Sequence, residues 1–446
     1  MLLTLRRNWL ICAGAIGVFL VIIAGAVVLS SPRLTRYVES DRFRHALEKE
    51  TAEGLHFPSA QYSRIRRTGF LMAQSESFRA GDGKKALKAT DAHDIRAGFD
   101  PWGVFLRRWQ LDELHIQSSK VEIQIYEHKP ESPPAKPWFS IFLPNRVYLK
   151  RVETERADVT WRFRGAGAGF FGTRLLITPH DRDFNYEATG GTLKMAPIPD
   201  LYLRHARLLI TKTLLTLYDV DLAPNAQSEG TLRGEGKAGI GKDKGVDCSA
   251  SFDRLPIGAW LPSNWKAHFT GLATGAVHWT GKNPKLETSS GEGSLRVRGA
   301  RIEHLPLLEE LAAVDKSFGH LQLNDCAMDV QWNYPCATIK NIALEDKGKF
   351  RMEGAISIDR DSLGGTVELG LARQHLDWLP KPEEVFTRQQ RGYLWTTVHL
   401  SGTVDEPKQD LSPRVADAIK ESPGTWLSLL FHEIGQWLKE NFGRDH

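Results

Sequence analysis

Two stretches of this chain carry the residue types of phosphate and metal chemistry. In GKAGIGKD, residues 236–243, Gly236, Gly241 and Lys242 stand at the spacing of G-x-x-x-x-G-K-[ST], a loop that cradles nucleotide phosphates, and Gly234, Gly236 and Gly239 fit G-x-G-x-x-G. In FHEIGQW, residues 431–437, a His-Glu pair opens the zinc motif H-E-x-x-H. Neither survives its surroundings. A phosphate loop needs a helix directly after Gly-Lys, so that free amides meet the phosphate. Here Asp243, Lys244 and Gly245 make a turn, and the strand-like VDCSASF follows. Asp243 takes the place of the magnesium-binding hydroxyl, and no βαβ unit supports the dinucleotide fingerprint. In the second stretch Gln436 replaces the second histidine. Glu309-Glu310 and Glu383-Glu384 are adjacent pairs whose side chains diverge on a helix, the histidines are scattered, and G-x-S-x-G is absent. The sequence therefore offers no catalytic residue, no cofactor site and no metal site, and 236–243 reads as a glycine-rich hairpin.

Composition narrows the classes further. The 446 residues include 41 % hydrophobic and 25 % charged, which suits a folded chain. Lys+Arg 58 against Asp+Glu 54 gives +4, with both signs interleaved and no basic block, so no nucleic acid partner is indicated. Cys12 lies in an apolar stretch; Cys248, Cys326 and Cys336 form no C-x-x-C, and one Cys326–Cys336 disulfide stays open. From Trp9 to Leu29 the chain is uncharged, about 21 residues and long enough to span a bilayer as a helix. Arg6, Arg7 and Trp9 suit a cytoplasmic N-terminus. A cleaved signal is the rival, with Ala24-Gly25-Ala26 as its site. The apolar run continues past that site, which favours an uncleaved anchor over 1–30 and puts the bulk of the chain across the membrane.

Beyond the anchor, Ser31-Pro32 opens a helix over 32–53 that Gly54 ends. The pattern then turns to period two. Val121, Ile123 and Ile125 alternate with polar residues, as do Val159, Trp161 and Phe163. Leu295 with Val297, Ile356 with Ile358, and Val367 with Leu369 and Leu371 do the same. LDELHIQSSKVEIQI (111–125) aligns without gaps on LKRVETERADVTWRF (149–163), an offset of 38, with the Pro-rich EHKPESPPAKP between them. Helices are few: 32–53, 305–314, 382–391 and the tail. The sheet must therefore hide its own apolar face as a sandwich, a barrel or a curled trough. About 18–22 strands at ~4.8 Å spacing would make a trough about 90–100 Å long. The expected fold is mainly β: an N-terminal transmembrane helix, an elongated curled antiparallel sheet over 31–411 with a few short helices, and an amphipathic helical tail over 412–446.

This layout resembles the AsmA family, which includes TamB-type and bridge-like lipid-transfer proteins. The resemblance rests on the anchor running into SPRLTRYVESDRFRHALEKETAEGL, and on GFDPWGVFLRRWQLDELHIQSSKVEIQIYE as the early strand segment. ARIEHLPLLEELAAV resembles the family's late inserted helix, and LSGTVDEPKQDLSPRV its closing strand. It implies a single-pass inner-membrane protein whose periplasmic sheet holds a hydrophobic groove. Phospholipid acyl chains would slide along that groove between the membranes, in support of outer-membrane biogenesis, and the outer membrane or its proteins would be a further partner. It says nothing of oligomeric state. The groove candidates are Val121, Ile123, Ile125, Val159, Trp161, Phe163, Leu295, Val297, Ile356, Ile358, Val367, Leu369 and Leu371; the same alternation would equally build a closed core. In the tail, Leu427, Leu430, Phe431, Ile434, Trp437 and Leu438 share one helical face, which would either cap the sheet or lie on a membrane. Two other functions compete: a scaffold for outer-membrane protein assembly that offers strand edges, and an anchored enzyme or carbohydrate-binding module whose tryptophans would stack on sugars.

Overall fold

The computed structural model describes residues 32–419, except 34, 70, 85–86, 101–108, 125–146, 164–165, 181–182, 197, 212, 240–243, 262–265, 267, 284–285, 304–318, 380 and 405. The proposed anchor, the helix expected at 305–314 and the tail face at 427–438 fall outside these residues. Among the described residues no helix is long and apolar enough to cross a membrane. The chain is mainly β with a few short helices, and it divides into two compact units, Met1–Phe184 and Asn185–His446.

In the first unit the expected single helix is two pieces. Residues 35–38 are helical, and a new helix, α1 (Asp41–Leu55), starts at Ser40. Ser40 has extended backbone angles, and its hydroxyl accepts from the Phe43 amide, so it caps the second piece and breaks the first. His56, left-handed at φ 62°, closes the C-terminus. Seven strands carry the rest of this unit's sheet: β1 (Ser59–Tyr62), β2 (Ile65–Gly69), β3 (Met72–Gly81), β4 (Leu87–Phe99), β5 (Trp109–Ile123), β6 (Val147–Leu149) and β7 (Val152–Phe163). β8 (Ala166–His180) follows on β7. β1 and β2 both pair with β3, and from there the order is β3–β4–β5–β7–β8. Phe43 and Ala52 of α1, with Phe57, bury the apolar face of β1–β4 against Ile65, Ala73, Phe78 and Ala92.

The two copies of the sequence repeat are neighbours. β5 pairs with β7 in parallel, Leu114 against Val152 and Val121 against Val159, at the offset of 38 read from the sequence. β6 continues it, with Leu111 against Leu149. This corrects the all-antiparallel expectation. The first copy is one strand as far as Ile123, and the second is broken at Lys150-Arg151. A parallel pair needs a long crossover, and residues 124–146 supply the chain for it. Glu153 of β7 is buried, and the Arg174 and Arg151 guanidinium groups beside it hold its carboxyl below the usual range.

β9 (Asp183–Thr189) leads into the second unit. There the strands are β10 (Thr192–Met195), β11 (Leu201–Ile210), β12 (Leu214–Ala223), β13 (Thr231–Gly239), β14 (Val246–Pro256), β15 (Phe269–Gly281), β16 (Ser289–Glu303), β17 (His320–Leu323), β18 (Asp325–Asn333), β19 (Cys336–Asp346), β20 (Phe350–Asp359) and β21 (Ser362–Ala372). After α2 (Pro382–Val385) come β22 (Arg388–Gln390), β23 (Tyr393–Gly402), β24 (Pro407–Gln409) and α3 (Leu411–Ile419). The described pairings run antiparallel along β10–β16, then β18–β21, β23 and β24, with β17 on β16 and β22 on β23. The helix expected over 382–391 is one turn followed by an edge strand. Pro382 starts it and Phe386 ends it, leaving Arg388 to pair with Trp395. Glu383 and Glu384 are solvated and paired with Arg373 and Lys381.

The three cysteines among the described residues, Cys248, Cys326 and Cys336, are free. Cys326 faces Leu344, whereas Cys336 sits at the far end of the same hairpin opposite Asn333. Burial pushes the Cys326 thiol up from 9.0 to about 11, so at pH 8 its thiolate is about a hundredfold scarcer than an ordinary thiol's. Brief alkylation of the native chain at pH 8 is expected to label exposed Cys336 first and Cys326 last. Peptide mass spectrometry reads the order, and equal labelling of the two would contradict the packing around β18.

Candidate functional site

The glycines of 236–239 lie inside β13. Gly236 faces Leu217 on one side and Cys248 on the other, and the Gly239 amide donates to the Gly245 carbonyl across the hairpin. A strand amide is held by its ladder and offers nothing to a phosphate, so the hairpin reading stands for the described part of the stretch.

What those glycines serve is the apolar face of the second unit. Cross-strand partners share a face, so rows can be followed from strand to strand. One row runs Leu217, Gly236, Cys248, Trp279, Gly291, Trp332, Ala337 and Ile358. The next runs Val220, Gly234, Ala250, Val277, Gly293, Val330, Ile339 and Ile356. A third runs Leu222, Leu232, Phe252, Gly275, Leu295 and Met328. Each row sets glycine beside large side chains, Gly291 between Trp279 and Trp332 and Gly275 beside Phe252, because a ring can lie flat only where its neighbour has no side chain. A Cβ on Gly291 would come 2.4 Å from the Trp332 ring, and one on Gly275 would come 2.6 Å from Phe252. The Trp332 indole N–H donates to the Ser289 hydroxyl at 3.3 Å, which fixes the ring's tilt.

Over β12–β18 the large members of these rows, Leu217, Leu232, Phe252, Val277, Trp279, Leu295, Val330 and Trp332, are half-buried. Farther along the sheet the same face is closed. Leu376, Leu379, Val385 and Phe386, together with Leu411 and Val415 of α3, cover Ile342, Ile356, Val367, Leu371, Leu394 and Val398. In the first unit α1 covers β1–β4, while on β5, β7 and β8 Val121, Val159, Trp161 and Phe170 are half-buried and Ile123 is 37 % exposed. The Trp161 and Phe170 rings pack at 5.7 Å.

The thirteen groove candidates thus separate. Val121, Ile123, Val159 and Trp161 lie on half-exposed apolar surface, and Leu295 is half-buried with one side packed on the cluster around Val297. Val297, Ile356, Val367 and Leu371 are buried in the protein's own core, and Ile358 and Leu369 pack on it. Ile125 falls outside the described residues, and Phe163 is described only as part of its strand. Sequence reading missed the middle of the second unit's face. GLATGAVHWTG does alternate, but its glycines and alanines hide Val277 and Trp279 as a pattern.

The opposite face is charged. A shallow depression of about 970 Å³ over β11–β19 is lined by its polar residues and also by Val220, Val277 and Val330 of the second row. His205 and Arg207 pair there with Asp219 at 2.7 and 3.1 Å. One arrangement has the residue types of a hydrolase: Ser249 Oγ lies 2.9 Å from His278 Nδ1, and His278 Nε2 lies 3.7 Å from Asp247. β14 and β15 each lie between two partner strands, so their amides are spent in the ladder and leave no pair of donors for an oxyanion. Ser249 and His278 face each other directly, and theirs is an ordinary cross-strand hydrogen bond. No group of three or more His, Cys, Asp or Glu among the described residues could hold a metal.

No family model, curated protein or solved structure matches the chain.

Proposed function

We propose that this chain is an AsmA-like protein of the bacterial envelope, anchored in the inner membrane by residues 9–29, that takes phospholipid acyl chains onto its apolar sheet face and hands them between inner and outer membranes. The reading is carried by one observation. Over β12–β18 a run of Leu, Val, Phe and Trp side chains is only half-buried, and it continues directly into a part of the same face that α3 closes. An apolar surface of this kind is unfavourable in water, and acyl chains would cover it at about 0.8 kcal/mol per CH₂. A bilayer offers a chain about the same, so exchange between membrane and protein is near-neutral. Passage then needs no bond made or broken.

The test is native mass spectrometry of the full chain extracted in mild detergent. Phospholipid should be retained in more than one copy per chain. Val277→Asp puts a carboxylate on the half-buried row and should reduce the retained copies to one or none, with the melting temperature within a few degrees of the parent. A parent chain that retains no phospholipid would sink the proposal.

A further inference from the structure

We propose that one end of the first unit is a docking collar for an anionic lipid surface, built from the start of the described chain and the tip of the β2–β3 hairpin. The inference rests on the anchor reading of residues 9–29 and does not need the groove.

The two parts are joined by specific contacts. The Arg67 guanidinium of β2 donates to the Thr35 hydroxyl at 2.8 Å, and the Arg67 amide donates to the Glu39 carboxylate at 3.1 Å. Val38 and Phe43 pack with Ile65, Ala73 and Phe99. The Phe99 amide donates to the Leu71 carbonyl at 2.8 Å. The hairpin tip is therefore held beside the first described turns of the chain.

At this end the surface is apolar where a water-facing tip would be polar. Met72 is 51 % exposed and Tyr37 is 47 % exposed, the two most exposed large apolar side chains of the described residues. Single exposed hydrophobes are ordinary on protein surfaces, but the Tyr37 ring packs at 5.4 Å on Phe43 of that cluster, and Met72 directly precedes Ala73 of the same cluster on β3. Arg33 and Arg36, just before Tyr37 in the chain, are exposed and carry no ion pair with any described residue. Exposed apolar side chains with exposed guanidinium groups close by in the chain match the acyl–headgroup boundary of an anionic leaflet.

Chain length supplies the occupant. Eight positions separate Leu29, the last apolar residue of the anchor segment, from Tyr37. That reach is about 12 Å as helix and at most about 28 Å extended. With the anchor in the bilayer, Tyr37 can be no farther than this from its surface, and the Arg67 contacts to Thr35 and Glu39 hold the hairpin that carries Met72 to the same turns. A docked collar would hold the start of the sheet against the leaflet, where a flexible tether would let it swing away.

The experiment uses the full chain in vesicles of phosphatidylcholine with phosphatidylglycerol, carrying a photoreactive benzoyl-phenylalanine at Met72, at Tyr37, at Val21 inside the anchor segment, or at Glu292 on the charged face. Lipid adducts at Met72 and Tyr37 should exceed those at Glu292 by at least fivefold. Arg33→Glu together with Arg36→Glu should lower the Met72 yield severalfold. Adducts at Val21 with only the Glu292 background at Met72 and Tyr37 would overturn the collar and leave the anchor standing. Background at all four positions would overturn both. An unchanged Met72 yield in the charge-reversed variant would overturn the electrostatic half.

Discussion

Val367→Asp is expected to leave no soluble, protease-resistant chain, whereas Ile123→Asp should fold like the parent. The two positions read alike in sequence, since both sit on alternating apolar faces. Val367 is 1 % exposed, faces Val398 across the strand pair and lies under the cluster that α3 completes. An unpaired carboxylate there costs several kcal/mol, a large part of the roughly 5–15 kcal/mol that holds a domain together. Ile123 ends β5 opposite Leu87 and is 37 % exposed, so a carboxylate can reach water and should cost about 1 kcal/mol or less. Limited proteolysis and thermal melts of both variants decide the matter. Collapse of both would mean that the face over β5 is a closed core. Survival of both would contradict the packing seen over β21.

The second large effect is expected from Gly291→Val. A Cβ at this position would lie 2.3 Å from the His278 carbonyl and 2.4 Å from the Trp332 ring. Neither neighbour can move cheaply, because the carbonyl belongs to β15 and the indole is tied to Ser289. The cost should be about 3 kcal/mol or more, equivalent to about 6–12 °C in the melting temperature of a unit this size. The tryptophan emission should also shift to the red as Trp332 is lifted off the sheet. Gly299→Val is the control. A Cβ there meets nothing within 4 Å, although φ is +61°, so any loss reflects backbone strain alone and should be the smaller.

Much of the fold was legible, for physical reasons that particular residues show. Val159, Trp161 and Phe163 alternate because a pleated strand turns successive side chains to opposite faces. The repeat at an offset of 38 recurs as the register of Leu114 with Val152 and Val121 with Val159, because like residues in parallel strands fall opposite each other, but the repeat alone did not say that the two copies are neighbours. Direction was not legible, since an alternating pattern reads the same both ways along a strand. The register shift between Leu217 and Val220, with its counterparts on β14 and β19, left no mark in the pattern. Strand number was underestimated, 24 being described against the 18–22 expected, because three- and four-residue strands such as β22 and β24 are too short to show a period. As for the candidate surface, alternation identified which face is apolar but not which part is covered. The cover comes from Leu376, Leu379, Phe386, Leu411 and Val415, residues distant in sequence from the strands they close. Val415, placed by sequence in a separate tail, belongs to that core, as does Leu411 at the end of the expected sheet.

The parallel pairing of β5 with β7 makes length a matter of copy number. In an antiparallel meander an added strand reverses the direction of everything after it unless strands come in twos. Here the second copy lies beside the first with the same direction, the same faces and the same register. A third copy with its crossover, inserted after β7, would present to β8 the edge that β7 now presents. It would widen the unit by about 4.8 Å and leave every existing side chain on its own face. A gene encoding this arrangement can lengthen its product by tandem duplication, one step at a time, with no new contact to be invented at each step.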